Sequence, residues 1–199
     1  MMMLKQLMRS PAVLSIIAIQ IVVYIAQLVN HDVAERLSLP GDVEGLGERP
    51  WSPLTVMFVH ELLVHVVLMV VMLAAFGPLL EQSARAMDLI AVYLLAGLAG
   101  SLGILAAIAA VPAWAEDGTI VGSSAAVFGV TAAVLAMRPS SRLFGGTTTQ
   151  WLGFLIAANI VFFFSLPLGS VGHLVGIAVG WAYGRWLRTR FGSHAEEVT

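Results

Sequence analysis

Nineteen consecutive residues, Pro11–Val29, carry no charged side chain. As a helix they reach roughly 29 Å, about the thickness of a bilayer core. Further apolar runs lie at 60–80, 86–111, 124–137, 151–166 and 171–187. Only 11% of the chain is charged and 59% is hydrophobic, whereas soluble domains carry about 25% charged residues. The chain therefore reads as an all-α integral membrane protein, a single domain over 1–199 with six transmembrane helices. Its length leaves no room for a second domain. No small-residue cleavage site follows the first run, which reads as a retained helix rather than a signal peptide. Cysteine is absent, which excludes disulfides and a thiol nucleophile. No basic stripe supports binding of nucleic acid.

Polar segments separate the runs. Residues 30–50 hold Asp32, Glu35, Asp42, Glu44 and Glu48 with Gly41, Gly45 and Gly47, and read as a structured external loop. Residues 51–59 are amphipathic and aromatic, suited to the membrane interface. Glu116 and Asp117 mark the next loop, and Pro139, Arg142, Gly145 and Gly146 another; Pro167–Ser170 reads as a tight connection. Past Leu187 a polar tail carries Arg188 and Arg190. With six spans both termini share one side. Lys5, Arg9, Arg85, Arg138, Arg142, Arg185, Arg188 and Arg190 fall on it, and only Arg36 and Arg49 on the other. Basic residues accumulate in cytoplasmic loops, so the termini are expected in the cytoplasm, at the plasma membrane.

The run 124–137 is too short to cross a bilayer alone. One reading is a helix that starts inside the membrane, met by a descending loop that lines a wet cavity. Ser124 then sits in its first turn, where free N–H groups and the helix dipole suit an oxyanion. The other reading is a Gly-Ser cap ahead of a core helix. In the six-span topology His60 and His65, early in the second span, and His173, early in the sixth, lie at a similar depth in the outer leaflet. Intramembrane ionisable groups are costly and point to function. Histidine is the usual base for a serine nucleophile. Gly176 and Gly180 share the face of His173 and let the sixth span press on Ala125, Ala126 and Gly129 of the fourth, which brings imidazole to hydroxyl. A plain small-residue packing seam with a hydrogen-bonded histidine is the alternative. Gly97, Gly100 and Gly103 give the third span a similar close-approach face. Phe128, four residues after Ser124, either stacks on the imidazole or belongs to the core. No acidic residue in spans four or six completes an Asp-containing triad.

His60 and His65 are five apart, about 140° around a helix, which does not fit the four-residue spacing of a helical zinc site. No metal and no cofactor is expected. His31 and His194 read as solvated loop and tail residues. A transporter is disfavoured by the scarcity of charge in the spans and the lack of an inverted repeat.

Gly122-Ser123-Ser124-Ala125-Ala126-Val127-Phe128-Gly129 resembles the GxSxxxFG motif of the rhomboid family of intramembrane serine proteases, and His173 with Gly176 and Gly180 resembles its HxxGxxxG motif. Trp51-Ser52-Pro53-Leu54-Thr55 with Phe58-Val59-His60, and Phe76-Gly77-Pro78-Leu79-Leu80-Glu81, resemble the two ends of that family's second helix. The resemblance implies a six-helix rhomboid-like bundle with a short fourth helix, and a Ser124–His173 dyad acting on transmembrane protein substrates in the lipid bilayer. It further implies oxyanion support from His65 and from the backbone of Gly122 and Ser124. Two positions depart from the family pattern. Met69 stands where the family usually has an asparagine that helps bind the oxyanion, and a thioether cannot donate a hydrogen bond. Ala125 replaces the glycine that commonly follows the serine. Asn159 in the fifth span reads as a helix-packing residue, with a displaced oxyanion donor as the alternative. A catalytically weak relative that binds transmembrane helices is the second functional reading.

Overall fold

The computed structural model describes residues 2–115, 118–138 and 142–195. The loop positions Glu116, Asp117 and Pro139, and the side chain of His194, lie outside the described residues. The chain runs α1 (Met2–Met8), α2 (Pro11–Val29), α3 (His31–Leu37), α4 (Ser52–Thr55), α5 (Leu63–Ser83), α6 (Ala86–Ala110), α7 (Ser124–Met137), α8 (Thr148–Phe163) and α9 (Pro167–Ala195). Short 3-10 turns lie at Glu44–Gly47, Val56–Phe58 and Pro112–Trp114, and two-residue strands pair antiparallel: β1 (Leu39–Pro40) with β2 (Thr119–Ile120), and β3 (Arg142–Leu143) with β4 (Gly146–Thr147). Among the described residues three helices, α2, α5 and α6, are both long and apolar enough to cross a membrane, while α7 and α8 are shorter apolar helices. This is an integral membrane protein.

α7 is the centre of the bundle. Apart from Ala125 and Phe128, every residue from Ser124 to Met137 is buried. A helix apolar all round has to be enclosed by protein or lipid, and here α5, α6, α8 and α9 all pack against it. The closest seam is with α9. A Cβ built on Gly176, Gly180 or Gly184 would overlap the backbone carbonyl of Ala125, Gly129 or Ala133 respectively. Backbone therefore touches backbone along three successive turns, which only small residues permit. The small residues of α6 serve different neighbours. A Cβ on Gly97 would meet Met57, one on Gly100 would lie 2.6 Å from the Ala125 Cβ, and one on Gly103 would meet Val175.

α8 is held more loosely. It meets α5 through aromatic edges, with Phe76 lying 5.9 Å from Trp151 and 5.3 Å from Phe144 of the β3–β4 turn. An apolar cleft of about 270 Å³ remains there, lined by Val71, Met72, Phe76, Thr131, Phe154 and Leu155 among others.

Several boundaries differ from the sequence expectation. The second helix begins at Leu63, so His60 precedes it. The segment before Leu63 has its polar backbone satisfied from α2: Gln27 Nε2 donates to the His60 carbonyl, and the His60 N–H donates back to Gln27 Oε1. The expected span 151–166 is α8 moved three residues earlier, because Thr147 and Gln150 form a reciprocal capping box that starts the helix at Thr148. The expected connection Pro167–Ser170 is instead the first turn of α9, where proline needs no N–H partner and already has helical φ. The expected polar tail is a continuation of α9, with the Arg190 guanidinium 4.2 Å above the Trp186 ring. At the same end of the bundle Glu81 caps α2, accepting from the backbone N–H groups of Ala12 and Val13 at 3.1 Å each. A buried carboxylate at a helix N-terminus is matched both by hydrogen bonds and by the dipole.

Candidate active site

The site assembles at the N-terminal end of α7, where β2 and Gly122 lead into the helix. β1–β2 pairing ties this approach to the segment after α3, and the Gly41 N–H bonds the Gly118 carbonyl. Gly122 has φ +135°, and a Cβ there would sit 2.8 Å from Cε1 of His65. Both facts require glycine at this position. The turn presents Ser124 as the first residue of α7 and lays the His65 ring against the loop.

Ser124 and His173 meet. Ser124 Oγ lies 2.6 Å from His173 Nε2. The α7–α9 seam just below sets this approach. The Phe128 ring lies 4.8 Å from the imidazole at 62°, an edge contact rather than a parallel stack. The other imidazole nitrogen, Nδ1, is 2.6 Å from Asn159 Oδ1, and the Asn159 amide nitrogen donates to the Leu155 carbonyl at 2.7 Å. Ser124 is 9% exposed, at the edge between buried and accessible, while Asn159 is fully buried.

The neighbouring serine forms a second pair. Ser123 Oγ lies 2.8 Å from His60 Nε2, with both residues at 0% exposure. Ser123 occupies the N-cap position of α7 yet makes no side-chain cap bond. A serine there ordinarily accepts from the N–H of the second or third helical residue. Because the hydroxyl turns to His60 instead, the first-turn amides stay free of a side-chain cap, in the place an oxyanion would occupy. His60 and His65 touch edge to face at 5.2 Å between ring centres. The premise that both lie on one regular helix does not hold, since His60 lies in the non-helical entry. Met69, one turn beyond His65, is buried in the main hydrophobic core.

The structure thus brings together Ser124, His173, Phe128, His65 and Gly122, and leaves Met69 in the core. It adds Asn159 and the Ser123–His60 pair, which the sequence did not join. Gln20 and Gln27 offered a signal: they are seven residues apart on one face of an otherwise apolar helix. Gln20 donates to the buried Tyr93 hydroxyl at 2.9 Å, which donates to the Met57 carbonyl at 2.7 Å, so α2 carries a polar seam toward the site entry.

Arranged this way, the residues can present a hydroxyl to an imidazole nitrogen beside uncapped helix amides, the components of acyl transfer. No individual curated protein matches the sequence. The Rhomboid domain matches residues 47–190, most of the chain, from α4 to most of α9, and so the helices that carry Ser124, Asn159 and His173. The chain belongs to the rhomboid family.

Proposed function

We propose that the protein is an intramembrane serine endopeptidase that cuts membrane-anchored substrates near the outer face of the plasma membrane. The observation that carries this reading is the 2.6 Å contact between Ser124 Oγ and His173 Nε2 at the N-terminus of a short, enclosed helix. Ser124 attacks the scissile carbonyl as His173 accepts its proton. The first-turn amides and His65 hold the oxyanion, and His173 returns the proton to the leaving amine. Water then hydrolyses the acyl-enzyme with the same base. The apolar cleft between α5 and α8 supports approach of a substrate helix from the lipid. The domain is read as six spans, with α7, α8 and α9 as the fourth to sixth. Both termini are cytoplasmic, in line with the distribution of eight basic residues against two.

The test is covalent labelling. In folded protein in detergent, a fluorophosphonate is expected to label the wild type. Labelling is expected to vanish in Ser124→Ala and to fall sharply in His173→Ala, each checked by thermal melting. Labelling that persists without Ser124 rejects the nucleophile. Met69 favours a second reading: a buried thioether in the usual asparagine position removes one oxyanion donor, which typically costs about 10²- to 10³-fold in rate. Folded wild type that resists several such reagents would favour a helix-binding protein with little or no activity.

A further inference from the structure

We propose that Asn159 is a positioning residue for His173, holding the imidazole in the one tautomer that can take a proton from Ser124. The inference rests on the serine protease reading above. It starts from the hydrogen-bond inventory of a buried amide. Asn159 is 0% exposed, so its donor and its acceptor both need partners inside the protein. Its Nδ2 lies 2.7 Å from the Leu155 carbonyl, which can only accept. That contact fixes which end of the amide is which, and leaves Oδ1 as the atom 2.6 Å from His173 Nδ1. An oxygen with no hydrogen can only accept, so Nδ1 must carry the proton and donate it. In the neutral ring Nε2 is then the bare acceptor, and Nε2 is the atom 2.6 Å from Ser124 Oγ. The chain Leu155 carbonyl, Asn159 amide, His173 imidazole, Ser124 hydroxyl therefore has one consistent set of proton positions.

The alternatives expected from sequence fare less well. A packing role calls for some buried partner at each end of the amide, but not for an oxygen aimed at the imidazole nitrogen opposite Ser124. An oxyanion donor would direct its N–H toward Ser124, whereas here the oxygen is the end that faces the site. Without the acceptor at Nδ1, the ring is free to carry its proton on Nε2, where it donates to Ser124 and cannot deprotonate it. In soluble serine proteases a carboxylate performs this orienting task, and a wrong tautomer costs up to about 10⁴ in kcat. Inside a membrane a carboxylate would also bring a charge that is costly to bury. A neutral amide fixes the tautomer without it, which accounts for a triad-like arrangement in a chain with no acid in α7 or α9 near the site.

The test uses the full chain in lipid nanodiscs, with a fluorogenic transmembrane reporter peptide for kinetics and ¹⁵N-histidine NMR for the tautomer. The His173 signal is assigned by its loss in His173→Ala. The wild type is expected to show neutral His173 protonated at Nδ1. Asn159→Leu, of nearly equal volume but with no acceptor, is expected to lose that signature and to lower kcat roughly 10²- to 10³-fold with KM unchanged. Asn159→Asp, which keeps an acceptor, is expected to restore the Nδ1 proton and most of kcat. Wild-type His173 protonated at Nε2 would overturn the proposal, as would an Asn159→Leu enzyme with unaltered kcat and tautomer. If Asn159→Leu does not fold, the wild-type spectrum still decides. An inactive wild type with the Nδ1 proton in place, lost in Asn159→Leu, would refute the protease reading and uphold the hold of Asn159 on His173.

Discussion

Two serine–histidine pairs stand side by side in this protein, one residue apart along the chain. Ser123 bonds His60 at 2.8 Å and Ser124 bonds His173 at 2.6 Å. By residue type and distance they are equivalent, and their surroundings separate them. The Ser123 pair is sealed at 0% exposure, and Nδ1 of His60 has no hydrogen-bond partner among the described residues. The Ser124 pair reaches the edge of accessibility, its histidine is anchored at Nδ1, and its serine starts a helix whose first amides are uncapped. A serine–histidine hydrogen bond is thus not what distinguishes a nucleophile. On the proposed reading, access, a fixed tautomer and nearby oxyanion donors do, and the Ser123 pair lacks access and the anchor. Its contribution is structural: it draws the would-be capping hydroxyl away from α7 and ties the entry to α5 to the loop before α7.

The largest effect expected from breaking this contrast is in Ser124→Ala. Cleavage of a reporter helix should fall about 10⁶-fold, as for loss of a serine that acts as one unit with its base, while Ser123→Ala keeps a measurable rate. Equal losses in the two variants would erase the distinction. A smaller change sharpens it. Met69→Asn, one turn beyond His65, would put a side-chain donor where the family usually has one, and should raise the cleavage rate by up to about 10². No gain in a protein with unchanged melting would show that this position does not reach the oxyanion. The smallest effect is on stability. Ser123→Ala leaves His60 buried with neither ring nitrogen partnered, at a cost of about 1–3 kcal/mol. Thermal and denaturant unfolding in detergent should register it, and fluorophosphonate labelling of Ser124 should persist. A stability identical to wild type would mean that the Ser123 bond contributes nothing to the fold.

The residues that meet at 2.6 Å, Ser124 and His173, were legible because each is followed by small residues at helical spacing, and this local pattern dictates which helices press together. The start of α5 was not legible. No glycine or proline lies between His60 and Leu63, and what holds His60 out of the helix is Gln27, on a different helix. Asn159 was visible as a polar residue in an apolar run, but its partner was not, because α8 and α9 meet in a register that no short-range signal sets. The extension of α9 was hidden for a different reason. Arg188 and Arg190 read as a tail by composition, yet a helix does not stop where the membrane does. The capping box at Thr147 and Gln150 is a local signal, written in the sequence, for the start of α8 at Thr148.

The α7–α9 seam has a mechanical consequence. Gly176, Gly180 and Gly184 recur every four residues, and each receives one carbonyl of α7. The two helices therefore engage like a rack and pinion with a tooth spacing of roughly 6 Å, four residues at 1.5 Å each. Sliding by a fraction of a tooth drives a carbonyl into a methylene or a side chain, and sliding by a whole tooth carries His173 clear of Ser124. Intermediate misalignments have no place to rest. The separation of hydroxyl and imidazole is thus tied to the register of this seam.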